Sequence, residues 1–296
     1  MKTLKQDILK IFKRVKLPVS AFEYEDFQRL KVKRYDPKTY PQHNLHIEDE
    51  YAVAGFPPGH KASRLFAEKT GLNPQMSSNG KRLIIRVSLN SREHDEMLRW
   101  FKIVEGRILL NDLLSFSAAL AMNYEFINDR KVITSIGALE KKAKDDNCSE
   151  STSAIAEELC EFIQNMPYYT DADLLCPVPR STISSEASLP ERLCDLVSTS
   201  TGILNLNGKV RWVKKDCHLQ DVALNQRWKS LELSGFEIDD SKTVDGKVII
   251  LIDDLYQSGN TMHFLAKQLI DCGARAVLGL AVVKAVSDGD NILKGK

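Results

Sequence analysis

The clearest pattern of apolar and polar positions lies near the end of the chain. Residues 248–252 are five consecutive apolar residues, Val-Ile-Ile-Leu-Ile, a length and composition that suit a strand buried on both faces of a parallel sheet. The run stops at Asp253 and Asp254. A polar loop follows over 256–261, and then Met262, Leu265, Leu269 and Ile270 recur at helical spacing. Cys272-Gly273 supplies a helix stop, and 276–283 reads as a second buried strand, so the stretch predicts one βαβ unit.

The same half holds further elements. Ile155, Leu159, Phe162 and Ile163 mark one face of a helix that leads to a short buried strand over 173–180. Small polar residues occupy 181–188, and Leu189, Leu193, Leu196 and Val197 mark another helix. Residues 208–225 bring Lys209, Arg211, Lys214 and Lys215 together ahead of a helix containing Gln220 and Arg227.

Before residue 140 the patterns are less specific. Leu4, Ile8, Ile11, Phe12 and Val15 share one face of a predicted helix whose other face is basic. Residues 22–78 are rich in turn signals, among them Pro57-Pro58-Gly59 and Asn73-Pro74. Residues 83–89 alternate as a strand does, and 93–104 and 109–126 read as two long helices. Residues 141–152 lose apolar periodicity and mark a linker. The fold expected is therefore α/β, with a parallel-sheet core over 153–296 and a separate α+β or mainly helical domain over 1–140.

Composition adds limits. The net charge is only +1, with 43% hydrophobic and 27% charged residues, so bulk electrostatics call for neither a nucleic acid nor a membrane surface. The apolar stretch 108–127 is interrupted by Asn111, Asp112, Asn123 and Glu125, which argues against a membrane span. The amino terminus lacks the pattern of a signal peptide, and the six cysteines show no pairing or metal-ligand spacing. Together these predict a cytoplasmic protein. His43 and His46 could share a metal, but no Cys or carboxylate stands at a recognised zinc-ligand spacing.

The chemistry concentrates after residue 252. Ligands of open α/β sheets bind at the carboxyl ends of strands. Ser258 and Thr261 offer hydroxyls there, Gly259 admits close backbone approach, and amides at a helix N-terminus attract a phosphate. Asp253 and Asp254 would repel that phosphate, so they suit the paired hydroxyl donors of a ribose. The plainer alternative is a turn in which the carboxylates cap the following helix.

An apolar strand, an acidic pair and a Ser-Gly-x-Thr loop resemble the phosphoribosyl-pyrophosphate signature of type I phosphoribosyltransferases. Gln257 stands where that family has Thr. The Cys176-Pro177-Val178-Pro179-Arg180 stretch is similar to the ComF-like branch, although no Arg-Gly-Phe-Asn-Gln run follows it. The resemblance covers residues 152–284. It implies Asp253 and Asp254 as catalytic carboxylates, Tyr256, Gln257, Ser258, Gly259, Asn260 and Thr261 as the ribose-5-phosphate loop, and Arg180 and Ser181 at the pyrophosphate. Lys214, Lys215, Gln220 and Arg227 are implied as a basic segment closing over the phosphates.

Magnesium is expected to be held by the substrate, with no direct protein ligand. The reaction implied joins phosphoribosyl pyrophosphate to a nitrogenous base, or strips a nucleotide with pyrophosphate in reverse. A transferase core behind an unrelated amino-terminal domain is also similar to the ShosT-like toxins of phage-defence toxin–antitoxin pairs, which implies a protein antitoxin as partner. A homo-oligomer is expected. The alternative is a non-catalytic, nucleic-acid-associated or regulatory protein that senses phosphoribosyl pyrophosphate.

Overall fold

The computed structural model describes residues 44–128, 130–180, 186–214, 222 and 224–286. The basic amphipathic helix expected from Leu4 to Val15 lies outside them, as do His43, Ser181, Lys215, Cys217 and Gln220.

Strand β1 (Asn44–Glu48) turns back into β2 (Tyr51–Phe56), whose last five residues are buried. The Pro-Pro-Gly turn follows, and the His60 Nδ1 accepts the Ala62 amide at 3.0 Å to start α1 (Lys61–Thr70). Strands β3 (Gln75–Met76) and β4 (Leu83–Ser88) complete an antiparallel sheet of order β1-β2-β4-β3. Helix α2 (Arg92–Ile103) starts at Ser91, whose hydroxyl accepts the His94 amide. Of the two alternatives for the amino-terminal half, this region is α+β.

The expected long helix over 109–126 is instead three strands, β5 (Ile108–Leu110), β6 (Phe116–Met122) and β7 (Tyr124–Ile127). An apolar segment buried all round has no periodicity that separates helix from strand. Here Ala118, Ala119 and Ala121 are small enough for a strand covered on both sides. Strand β7 pairs with β8 (Arg130–Ile133) in a separate hairpin.

Residues 141–152 are not a linker. They span the end of α3 (Ser135–Asp145) and the start of α4 (Ser149–Asn165), with Ala143, Ser151 and Thr152 buried. The other polar residues that broke the apolar pattern lie on exposed positions and in the turn between the helices, where Asn147 takes φ 52°. After α4 come β9 (Leu174–Pro177), α5 (Leu189–Thr201), β10 (Leu204–Asn205) and β11 (Val210–Trp212). Pro190 in the first turn of α5 and a reciprocal Ser188–Glu191 capping pair fix that helix start. Helix α6 (Leu224–Ser234) and β12 (Phe236–Ile238) lead to β13 (Val248–Tyr256), α7 (Asn260–Asp271) and β14 (Ala276–Lys284).

The main sheet has the order β10-β9-β13-β14-β6-β5. Neighbours are parallel except for β5, which runs antiparallel to β6 at the edge. Alternation along β13 divides its side chains between two cores. Val248, Ile250 and Ile252 join Ile155, Leu159, Leu193 and Val197 of α4 and α5 on one face. Ile249 and Leu251 join Met262, Leu265 and Leu269 of α7, with Trp212 and Trp228, on the other. The described residues thus form a mixed α/β protein with seven α-helices and a mostly parallel six-stranded sheet.

Because β6 pairs with β14, residues assigned by sequence to a separate domain build part of the main sheet. The central position of β13 between β9 and β14 sets its carboxyl end, and the loop that follows, at the middle of the sheet edge.

Candidate active site at the carboxyl end of β13

Strand β13 does not stop at Ile252 but continues through both aspartates to Tyr256. Successive residues of a strand point to opposite sides, and the two carboxylates meet different surroundings. Asp253 lines a cleft with Leu255, Tyr256, Gln257, Ser258, Gly259, Asn260, Thr261, Met262 and Arg227. Asp254 reaches the other way, to the Lys144 ammonium at 2.7 Å.

Burial, and then the charge of Asp254, holds the Asp253 carboxyl well above the usual carboxylate range. The Asp254 amide donates to Asp253 Oδ1 at 2.9 Å and opposes that shift. Lys144 belongs to the last turn of α3, and its ammonium also lies 3.8 Å from Glu140. Burial works against the Lys144 charge, yet the Asp254 carboxylate beside it leaves its pKa raised. Glu140 is pushed up to about 7, first by burial and, against the pull of Lys144, by Asp254 and Asp145.

The loop after β13 reaches α7 through Gly259, which has φ 76° in the left-handed region. A Cβ there would lie 2.4 Å from the Tyr256 hydroxyl, so only glycine fits both the backbone and the space. Helix α7 has no side-chain cap and no acidic residue in its first turn. The Asn260 amide has only a long bond to Ser258 Oγ at 3.5 Å, so this helix start suits an anion, which the helix dipole favours. Ser258 is buried, and its hydroxyl accepts from the Asn260 side chain at 2.8 Å.

Tyr256, expected in the ligand loop, is the last residue of β13, and its hydroxyl turns inward to donate to Asp112 Oδ2 at 3.0 Å. Arg227 is buried in α6, with its Nε donating to the Val222 carbonyl at 3.0 Å. It lines the same cleft as Asp253. Lys214 is exposed beyond β11, with its amide bonded to the Ser234 carbonyl. It is not among the residues lining that cleft.

Arg180 follows β9, the neighbour of β13, and its charge helps to depress Arg192 after burial has done so. Arg192 in turn donates to the Ala143 carbonyl at 2.7 Å and to Thr152 Oγ1 at 3.2 Å, bracing the turn of α3 that carries Lys144. Sequence reasoning missed Lys144, Glu140 and Arg192, because Lys144 and Glu140 meet Asp254 only through the fold and Arg192 lies 40 and 49 positions from Thr152 and Ala143. Asp112 was legible only as a polar interruption of an apolar stretch. In the fold it is buried, with Ser117, Tyr256 and the Leu114 amide on its oxygens.

Among the described residues no group of three histidines, cysteines or carboxylates is arranged to hold a metal ion, and none of their helices is long and apolar enough to cross a membrane. His46 bonds Glu48 at 2.8 Å, and His60 caps α1. No protein-family model and no curated protein sequence matches the chain.

Proposed function

We propose that this protein is a phosphoribosyltransferase with a type I core, acting on 5-phosphoribosyl 1-pyrophosphate and a nitrogenous base, or on a nucleotide and pyrophosphate in reverse. The observation that carries the reading is one cleft at the carboxyl end of a central parallel strand. It joins Asp253 to the Gln257–Thr261 loop at an uncapped helix N-terminus. A carboxyl beside a phosphate-type cradle matches a ribose that carries both a diol and a phosphate.

In this reading the amides of Asn260 and Thr261 and the Ser258 and Thr261 hydroxyls hold the 5′-phosphate. Asp253 takes the ribose hydroxyls, while Asp254, on the opposite side of the strand, keeps its Lys144 partner. The acidic pair also favours the positive charge that develops on the ribose ring as pyrophosphate leaves. Arg180 and Arg227 supply the opposite charge for phosphate oxygens, since guanidinium groups match them in shape. No described residue would hold magnesium directly; the substrate's own phosphate oxygens would carry it, and it would supply positive charge against the departing pyrophosphate.

The reading is tested by pyrophosphate release from phosphoribosyl pyrophosphate across a panel of bases with magnesium, and by the reverse assay with nucleotides. Asp253→Asn combined with Asp254→Asn should abolish release, by about a thousandfold if charge stabilisation dominates the rate. Release that is absent from the wild type in both directions would overturn transferase activity and leave the regulatory alternative.

A further inference from the structure

A second cluster, remote from the motif, meets the ligand loop from below. Asp112 sits between β5 and β6 and is buried. Its Oδ1 accepts from Ser117 Oγ at 2.9 Å and from the Leu114 amide at 3.2 Å, and its Oδ2 accepts from the Tyr256 hydroxyl at 3.0 Å. Lys61, at the start of α1, places its ammonium 3.9 Å from Oδ1 and donates to the Asp112 carbonyl at 2.6 Å and to the Leu114 carbonyl.

The neighbouring residue makes a second tie. The Leu113 amide donates to His263 Nε2 at 3.2 Å. That bond fixes the proton on Nδ1, which donates to the Gly259 carbonyl at 2.8 Å. His263 is fully buried in the first turn of α7, with Nε2 3.8 Å from Asp112 Oδ2. The loop from Tyr256 to His263 is thus pinned at both ends to residues 112–113, which in turn are pinned to α1. Unpaired buried groups are costly, so each tie favours this one loop conformation.

We propose that Asp112 is a positioning residue for the loop, acting through Tyr256 and, by way of the Leu113 backbone, through His263, with Lys61 as its anchor in α1. The inference deepens the functional reading and rests on it for the claim that this loop holds a sugar phosphate. It gives the amino-terminal half a role in binding: α1 sets the geometry of a loop some 200 residues later in the chain.

Two measurements on the full chain test it, ribose 5-phosphate titration by calorimetry and amide hydrogen exchange of residues 257–263 without ligand. Asp112→Ala should weaken ribose 5-phosphate by about tenfold, the scale of one lost hydrogen bond to a charged group, and speed loop exchange. Asp112→Asn keeps an acceptor for Ser117 and turns the Tyr256 bond round, so both readouts should return most of the way to wild type. Tyr256→Phe removes a single hydroxyl and carries the test if the alanine variant fails to fold; it should also loosen the loop.

Folded variants with wild-type loop exchange and wild-type affinity would overturn the proposal. A wild type that ignores ribose 5-phosphate would sink the functional reading and with it the binding claim. Unchanged loop exchange in Tyr256→Phe would sink the clamp alone.

Discussion

Glu140 and Gly259 show how single positions are set by their surroundings. Glu140 has a folded pKa of about 7 against an ordinary 4.5. Between those values the folded protein binds the proton that the unfolded chain has released, so stability falls as pH rises through that window. Glu140→Gln removes the effect. Its urea midpoint should exceed that of wild type at pH 8, and the advantage should shrink at pH 5; an equal advantage at both would contradict the assignment. At Gly259 the left-handed φ and the Tyr256 hydroxyl exclude a side chain. Gly259→Ala should cost about 1–3 kcal/mol in thermal or urea unfolding. The sequence made Gly259 visible through its loop, but it gave no sign that the obstacle would be a tyrosine three residues earlier.

The elements divide by how locally they are determined. Strand β13, helix α7 and strand β14 were legible because an unbroken apolar run, a helical repeat and a Cys-Gly stop each act over a few residues. The helix expected over 109–126 failed because Ala118, Ala119 and Ala121 fit either state, and only the pairing of β6 with β14 decides. Helices α3 and α4 were hidden by polar residues at their junction, while the buried contact is made by Ala143, Ser151 and Thr152. Arg192 of α5 closes that junction through Ala143 and Thr152. Arg192→Met should therefore cost about 1–3 kcal/mol by leaving the Ala143 carbonyl unsatisfied. It should also weaken the Lys144–Asp254 contact, which the change in the Lys144 titration by NMR would register.

At the scale of the molecule, the main sheet unites two parts of the chain that composition had separated. Strand β6 covers one side of β14, and Phe116 stacks on Tyr168 at 4.8 Å between ring centroids. A fragment of residues 153–296 would expose that edge of β14 and lose the Asp112 and Lys144 partners of the site. It should fail to unfold cooperatively or should aggregate, as an unpaired hydrophobic strand edge does. A soluble fragment with a sharp thermal transition would restore the two-domain division. The acidic pair and its loop were legible from the sequence because their spacing is local. Their partners were not, because Lys144 and Asp112 reach the site only through the fold.

The central claim is that the cleft beside Asp253 holds a phosphorylated ribose, and calorimetric titration of ribose 5-phosphate into wild type and Asp253→Asn tests it most directly. Burial favours the neutral form of Asp253 in the unliganded protein, so the asparagine variant should keep its fold; in the account the diol draws Asp253 into its ionised form, and it is that acceptor which the variant lacks. The account predicts saturable binding to wild type and about tenfold weaker binding to the variant, the scale of charge-assisted bonds to a diol. No binding to the wild type, or equal affinity in the two proteins, would contradict it.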